Sequence, residues 1–218
     1  HRAEFYRRTA DDTEQRLGEE YEAAQASDLG KIDTFRFEED RVLDAALNAV
    51  EAGNWSMATD WAEAHKGERS FWLRNRPERR SAWQLVGDAA RLGTRLQDAG
   101  ASLGKADSLE AAVQRYVTAG APVDQAHRHL EQRRETLLYS QVAKFEKLRP
   151  ALDQMRQRWR RWADAWAADF SGLCRREGFL PEPQHQQRTL FDDVVRPLVC
   201  DHETTVLFVV DALRYELA

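Results

Sequence analysis

The stretch that decides the fold is FEKLRPALDQMRQRWRRWADAWAADFSGL, residues 145–173. Its large apolar side chains recur at spacings of three and four, which is the period of one helix face. They are Phe145, Leu148, Leu152, Met155, Trp159, Trp162, Trp166, Phe170 and Leu173. Leu130 and Leu137 extend the stripe upstream, as expected of a long helix in an antiparallel hairpin or bundle. Pro150 predicts a kink or a break, because an internal proline costs about 3 kcal/mol.

Shorter helices are predicted upstream of this stretch. One begins near residue 3, a second covers about 37–52 with Leu43, Ala46, Leu47 and Val50 inward, and a third follows a cap at Asn54 or Ser56. Another covers 78–99, and Gly53 and Gly100 are typical C-terminal stops.

The segment after Gly100 predicts two further helices. Asp107 begins the first, with Glu110 three residues later in capping-box position. Gly120 is expected to end it, and Pro122 suits the first turn of the next helix.

The composition indicates a helical protein with a packed interior. Of the 218 residues, 32% are charged and seven are Trp, while the net charge of −5 supplies no global basic field. No apolar run approaches the roughly 18 residues that span a bilayer, so no membrane partner is expected. Cys174 and Cys200 are interpreted as reduced core thiols, which favours a cytoplasmic location.

The texture of the sequence changes after Gly178. Residues 179–187 read as a linker, and a short helix follows with Leu190, Val194 and Leu198 on one side. The run Val206-Leu207-Phe208-Val209-Val210 predicts a strand buried on both faces, as in a parallel sheet. We therefore predict a mainly α fold: an all-α module at 1–178, a linker at 179–187, and the truncated start of an α/β domain at 188–218. Because His1 is no initiator methionine and the last element is incomplete, the chain is expected to be part of a longer protein.

The residue directly after the predicted strand is Asp211. Ligands gather at the carboxyl ends of strands in open α/β sheets, and a carboxylate there suits a divalent metal. Two structural interpretations stay open: Asp211 as the N-cap of a helix starting at Ala212, or as an ion-pair partner of Arg214.

The string Phe208-Val209-Val210-Asp211-Ala212-Leu213-Arg214-Tyr215-Glu216 closely resembles the opening strand and turn of the PglZ family. This family belongs to the alkaline phosphatase superfamily and occurs in bacterial phage-defence systems of the BREX and phage-growth-limitation kind. The resemblance covers about thirty residues, from Thr189 to Ala218. It implies that Asp211 binds a divalent metal, Zn or alternatively Mn, in a phosphohydrolase or phosphodiesterase. The family's nucleophile and other ligands would lie downstream, so this chain holds no catalytic residue and is expected to be inactive alone.

Two arginine clusters raise the question of a DNA partner beside the other defence-system proteins that the resemblance implies. They are Arg156, Arg158, Arg160 and Arg161, and Arg69, Arg74, Arg76, Arg79 and Arg80. The helical period places the tryptophans on the buried stripe and leaves the arginines on a solvated face. DNA contact stays an alternative. His127 and His129 point to different sides of a helix and are interpreted as surface histidines. A non-catalytic helical scaffold is the alternative to the enzyme.

Overall fold

The regular structure of the described residues is helical. The computed structural model describes residues 1–17, 24–29, 34–65, 70–74, 76–104, 106–137, 142–201 and 204–206, and these ranges contain no strand. The α-helices are α1 (Arg2–Leu17), α2 (Ala26–Leu29), α3 (Arg36–Ala52), α4 (Trp55–Ala64), α5 (Phe71–Arg74), α6 (Pro77–Ala99), α7 (Leu109–Arg115), α8 (Ala121–Leu137), α9 (Phe145–Glu177) and α10 (Arg196–Asp201). Two π-helical turns lie at Tyr116–Gly120 and Phe191–Val195, and two 3₁₀ turns at Pro183–His185 and Gln187–Thr189. The mainly α prediction is confirmed, whereas the predicted strand lies, apart from Val206, outside the described residues.

The chain divides into two compact units. One comprises residues 1–95 and 126–159, and the other comprises residues 96–125 and 160–218. Helices α6, α8 and α9 contribute residues to both. The predicted boundaries at residues 178 and 188 stay a prediction, because residues 207–218 lie outside the described part of the chain.

In the first unit, α4 and α6 pack antiparallel with unusually close contact. Gly93 of α6 lies against the Trp55 ring at the start of α4, and Gly87 lies near Ala62 towards its end. Residue numbers therefore increase in opposite directions along the two helices, as they do in an antiparallel pair. Asn54 caps α4 by accepting a hydrogen bond from the Met57 amide, as predicted. The predicted inward face of α3 is buried: Leu43, Ala46, Leu47 and Val50.

Helices α8 and α9 form an antiparallel pair in the same unit. The His127 ring stacks on Trp159 with ring centres 3.6 Å apart, and Arg156 Nε donates to Glu131 Oε1 over 2.7 Å. Residue 127 thus faces 159 while 131 faces 156, which fixes the antiparallel direction. The stripe residues of this part of α9 are buried: Leu148, Leu152 and Met155. The hairpin arrangement expected from the sequence is present in this pair.

In the second unit, the remaining part of α9 holds the core. Trp162, Trp166 and Leu173 are buried, whereas Phe170 is exposed although it belongs to the same stripe. The Trp166 indole donates to the Gly100 carbonyl over 3.3 Å, and the Leu103 amide donates to Asp169 Oδ2 over 3.1 Å. These two hydrogen bonds tie the segment after α6 to α9.

Each π-helical turn ends two residues before a proline. The Ala121 amide donates to the Tyr116 carbonyl before Pro122, and the Arg196 amide donates to the Phe191 carbonyl before Pro197. A proline ring clashes with the carbonyl four residues earlier in a regular α-helix, and the wider turn relieves that crowding.

The prediction that Gly120 ends a helix is therefore wrong, because the π-helical turn continues directly into α8. Gly120 serves close packing instead. A Cβ at this position would lie 2.5 Å from the Tyr116 ring and 3.0 Å from Trp166.

Two other predicted helix limits differ in the structure. Helix α9 runs unbroken through Pro150, so the predicted break is absent. Pro150 is exposed and lies near the start of α9, where it removes the bond to Glu146 and leaves the buried stripe intact. Ser108, not Asp107, caps α7, because its hydroxyl accepts from the Ala111 amide over 3.2 Å.

Candidate functional site

The predicted metal ligand, Asp211, lies outside the described residues, as do Arg214 and Glu216. The structure therefore does not test the metal site or the role of these side chains. The described residues that come closest to Asp211 in sequence are those of the segment 179–206, which belongs to the second unit.

The segment 179–206 concentrates exposed apolar side chains. Phe179 is 81% exposed and Val206 is 68% exposed. The other large apolar residues of the segment that lie in solvent are Leu180, Leu190, Phe191, Val194, Leu198 and Val199. Soluble proteins rarely expose apolar residues in such density, so this segment is a candidate interaction surface.

Residues 190–201 form one continuous helical segment with a regular apolar pattern. Apolar neighbours recur every four residues: Leu190 and Phe191, Val194 and Val195, Leu198 and Val199. This spacing places them on one side of a helix. Only Val195 of this segment is buried, at 8% exposure, while Leu190 is 45% exposed. The segment thus has an apolar face that the described residues leave largely uncovered.

The first arginine cluster is engaged mainly with its own unit. Arg156 pairs with Glu131, and the Arg158 guanidinium carbon lies 5.2 Å from the centre of the Trp55 ring. Arg160 and Arg161, in the second unit, are exposed.

The tryptophans of this region are poor candidates for stacking on nucleic-acid bases. Trp162 and Trp166 are buried, as predicted, and Trp159 is covered by His127. A base-stacking platform needs accessible ring faces. The local geometry therefore favours the packing role of these rings.

The second arginine cluster contains a buried ion pair that the sequence did not predict. Arg79, expected on a solvated face, has an 8% exposed side chain and pairs with Glu39, whose side chain is 2% exposed. Arg79 also pairs with Asp40 over 2.7 Å, and the Trp83 indole donates to Glu39 Oε1 over 2.7 Å. Burial lowers the pKa of Arg79 to about 10, because the charged form is desolvated. The cluster is structural at Arg79, and Arg69 lies outside the described residues.

Lys144 extends this network to the start of α9. Its ammonium donates to the Asp40 carbonyl over 2.7 Å and pairs with Asp44 over 2.6 Å. Burial raises the pKa of the Asp40 carboxyl, and the Lys144 charge offsets this only in part. Burial also acts to raise the pKa of Asp44, but the hydrogen bonds and the positive charges of Lys144 and Lys147 together outweigh it and hold this pKa below its ordinary value. The sequence signal for this network was the acidic run at the start of α3, but the sequence alone did not show which basic residues pair with it.

The histidines and cysteines that the structure describes form no metal site together. His127 is half-buried against Trp159 and lies 3.8 Å from Glu131, so it is only partly exposed at the surface. Cys174 is half-buried and Cys200 is exposed, and neither forms a disulfide in the described part of the chain. The interpretation as a core thiol is therefore wrong for Cys200.

A small open cavity of about 160 Å³ lies in the second unit. Its walls include Leu103, Gly104, Asp169, Gly172 and Arg176. One carboxylate oxygen of Asp169 accepts a hydrogen bond from the Leu103 amide, so Asp169 helps to position the segment after α6. The cavity is too small for a drug-sized or nucleotide-sized ligand.

No family model, curated protein or solved structure matches the chain. Among the described residues, no group of three or more His, Cys, Asp and Glu side chains could hold a metal ion. Within the same ranges, every helix is too short or too polar to cross a bilayer.

Proposed function

We propose that this chain is part of a PglZ-type, metal-dependent phosphohydrolase or phosphodiesterase of a bacterial phage-defence system. In this proposal, residues 188–218 begin an alkaline-phosphatase-like α/β domain, and the helical module positions that domain. Asp211 contributes one ligand to a divalent metal, Zn or alternatively Mn. The metal would stabilise charge on a phosphoryl group, while the nucleophile and the other ligands come from beyond this chain.

The observation that carries the proposal is the string from Phe208 to Glu216 that resembles the opening of the PglZ domain. It places a carboxylate directly after a run of five apolar residues, where α/β enzymes hold their ligands. The exposed apolar face of residues 190–201 supports an α/β domain as well, because helices that cover a sheet present such a face.

The experiment compares hydrolysis of an aryl phosphodiester by the full-length protein that contains this chain, with and without Zn²⁺ or Mn²⁺. The test variant is Asp211→Ala. The matched control is Asp164→Ala, because Asp164 is an exposed aspartate of α9. Metal-dependent turnover that is lost only in Asp211→Ala supports the proposal, whereas turnover that persists in this variant contradicts the ligand role.

A second candidate function is a non-catalytic helical scaffold that binds other proteins of the defence complex. The exposed apolar residues of the segment 179–206 favour it, because protein interfaces are built from such side chains. Folded full-length protein that turns over neither diester nor nucleic-acid substrates with any metal would make the scaffold the better proposal. DNA binding as a third role requires an affinity that falls steeply with salt.

A further inference from the structure

The helical segment 190–201 shows an apolar face with no sufficient cover among the described residues. Leu190, Phe191, Val194, Leu198 and Val199 are all exposed, and Val195 alone is buried. Burial of such side chains stabilises a fold, because it removes apolar surface from water. A face of five exposed apolar residues is therefore a docking surface, and its occupant is the question.

We propose that this apolar face packs on one face of a β-strand formed by residues 206–210 of the same chain. The inference rests on the α/β domain of the proposed function, but not on its metal or its hydrolytic activity. It names the surface that joins the helix to the sheet, and it assigns the occupant to this chain rather than to a second copy.

The short connection after the helix supports this occupant. Helix α10 ends at Asp201, and four residues separate it from Val206. Connections of two to about six residues are usual between a helix and the strand that it covers. The Thr205 hydroxyl donates to the Leu198 carbonyl over 3.4 Å, so Thr205 lies beside the end of the helix, one residue before Val206. Leu198 is itself a member of the apolar face.

The dimensions of the two segments agree. The helix of residues 190–201 is about 18 Å long at 1.5 Å per residue. A strand of residues 206–210 is about 17 Å long at 3.3 Å per residue. A strand that returns along the helix can therefore be covered over its full length.

The chemistry of the run 206–210 fits burial on both faces, because all five residues are apolar. Val206, Phe208 and Val210 would lie on one face of the strand, and Leu207 and Val209 on the other. A helix covers only one of these faces. Contact with the helix should therefore alternate from residue to residue along the strand.

The experiment tests this alternation by disulfide formation in the full-length protein that contains the chain. In a background of Cys174→Ser and Cys200→Ser, the variant Val194→Cys is combined with either Leu207→Cys or Phe208→Cys. Disulfides need Cβ atoms about 3.5–4.5 Å apart, so one pair should form an intramolecular disulfide about tenfold faster than the other. The matched control replaces Val194→Cys by Arg196→Cys, which lies between the apolar pairs of the same helix and should give neither disulfide.

Equal rates for both strand positions, or equal rates from Arg196→Cys, would overturn the inference. Disulfides that form only between two molecules would do so as well and would identify a second copy as the occupant. Amide hydrogen exchange of the unsubstituted protein supplies a measurement that does not depend on variants: protected amides in residues 206–210 are expected, and amides that exchange at the rate of unfolded chain contradict the strand.

The outcome is separable from the test of hydrolysis. Alternating disulfide rates without metal-dependent turnover would support the packing and contradict the phosphohydrolase. Turnover that is lost in Asp211→Ala, together with equal disulfide rates, would support the enzyme and contradict this packing.

Discussion

Replacement of Gly93 by Ala tests the tightest packing in the first unit. A Cβ at Gly93 would lie 2.3 Å from Cδ2 of Trp55 and 2.5 Å from Cε3. Carbon atoms pack at about 3.5–4.0 Å, so the indole has to shift by more than 1 Å. The ring is rigid and buried, and the guanidinium of Arg158 lies over it. The contact cannot be relieved by rotation of a flexible side-chain end.

The expected magnitude follows from two opposing effects. Overpacking in a core costs about 1–3 kcal/mol, and full expulsion of the indole, which buries about 200 Å², would cost about 5 kcal/mol. The gain in helix propensity from Gly to Ala is about 1 kcal/mol. Gly93→Ala should therefore lower the free energy of unfolding by up to about 2 kcal/mol, and by more if the whole ring is expelled.

Gly87→Ala is the matched control, because it makes the same substitution in the same helix. Its Cβ would lie 3.4 Å from the Ala62 Cβ, which is ordinary contact. This variant should be neutral or up to about 1 kcal/mol more stable. The assay is urea unfolding followed by tryptophan fluorescence, with midpoint and slope compared. A clash between the new Cβ and the Trp55 ring is contradicted if Gly93→Ala is as stable as Gly87→Ala, or if Gly93→Ala remains equally destabilising when Trp55→Leu removes the ring.

Three further outcomes follow from the polar network and from the π-helical turns. Arg79→Met leaves Glu39 buried without its cation and should cost about 3–5 kcal/mol in urea unfolding, whereas Glu39→Gln with Arg79→Met should recover part of that loss. Because the folded pKa of Asp44 lies below its ordinary value of 3.8, its contribution to stability is present above this pH and is lost as the pH falls through the folded pKa. Lys144→Met should reduce this acid dependence of the unfolding midpoint. An unchanged pH profile would contradict the role of Lys144 in lowering the pKa of Asp44. Gly120→Ala should lower the melting temperature, since its Cβ would meet the Tyr116 ring at 2.5 Å.

The sequence predicted the helices whose apolar stripe decides their packing. In α9, six of the nine stripe residues are buried as expected, namely Leu148, Leu152, Met155, Trp162, Trp166 and Leu173. Glycine stops and the Asn54 cap were also predictable, because they depend on backbone conformation within a few residues: Gly53 and Gly100 both have φ near +78°.

The features that the sequence could not predict depend on distant partners. Arg79 looked like one more member of a basic run, and only the approach of α3 and α6 gives it Glu39 and Asp40. His127 is covered because Trp159 faces it from another helix, 32 residues away in the chain. The continuation through Gly120 required a π-helical turn, and Pro122 carries no local signal that separates this turn from a new helix.

The candidate site itself was approached from a local string, and the structure adds to it only through the residues that precede it. Asp211 was singled out by its position after an apolar run, and its geometry lies outside the described residues. The structure adds the exposed apolar face of residues 190–201. From the sequence, only Leu190, Val194 and Leu198 were predicted to lie on this face.

Two helical segments with a similar apolar pattern differ in how much of that pattern the described residues cover. Both α9 and the helical segment 190–201 carry a regular apolar pattern, but α9 buries most of its stripe and the later segment buries one residue. The same apolar periodicity therefore has two outcomes. In α9 it stabilises the fold, whereas in residues 190–201 it leaves free energy of burial to be gained from a further contact. Because Thr205 lies beside Leu198 at the end of this helix, we propose that the apolar run that begins at Val206 makes that contact. In the proposed α/β domain, a strand packed in this way would hold Asp211 in a supported position, as a metal ligand at the end of a strand requires.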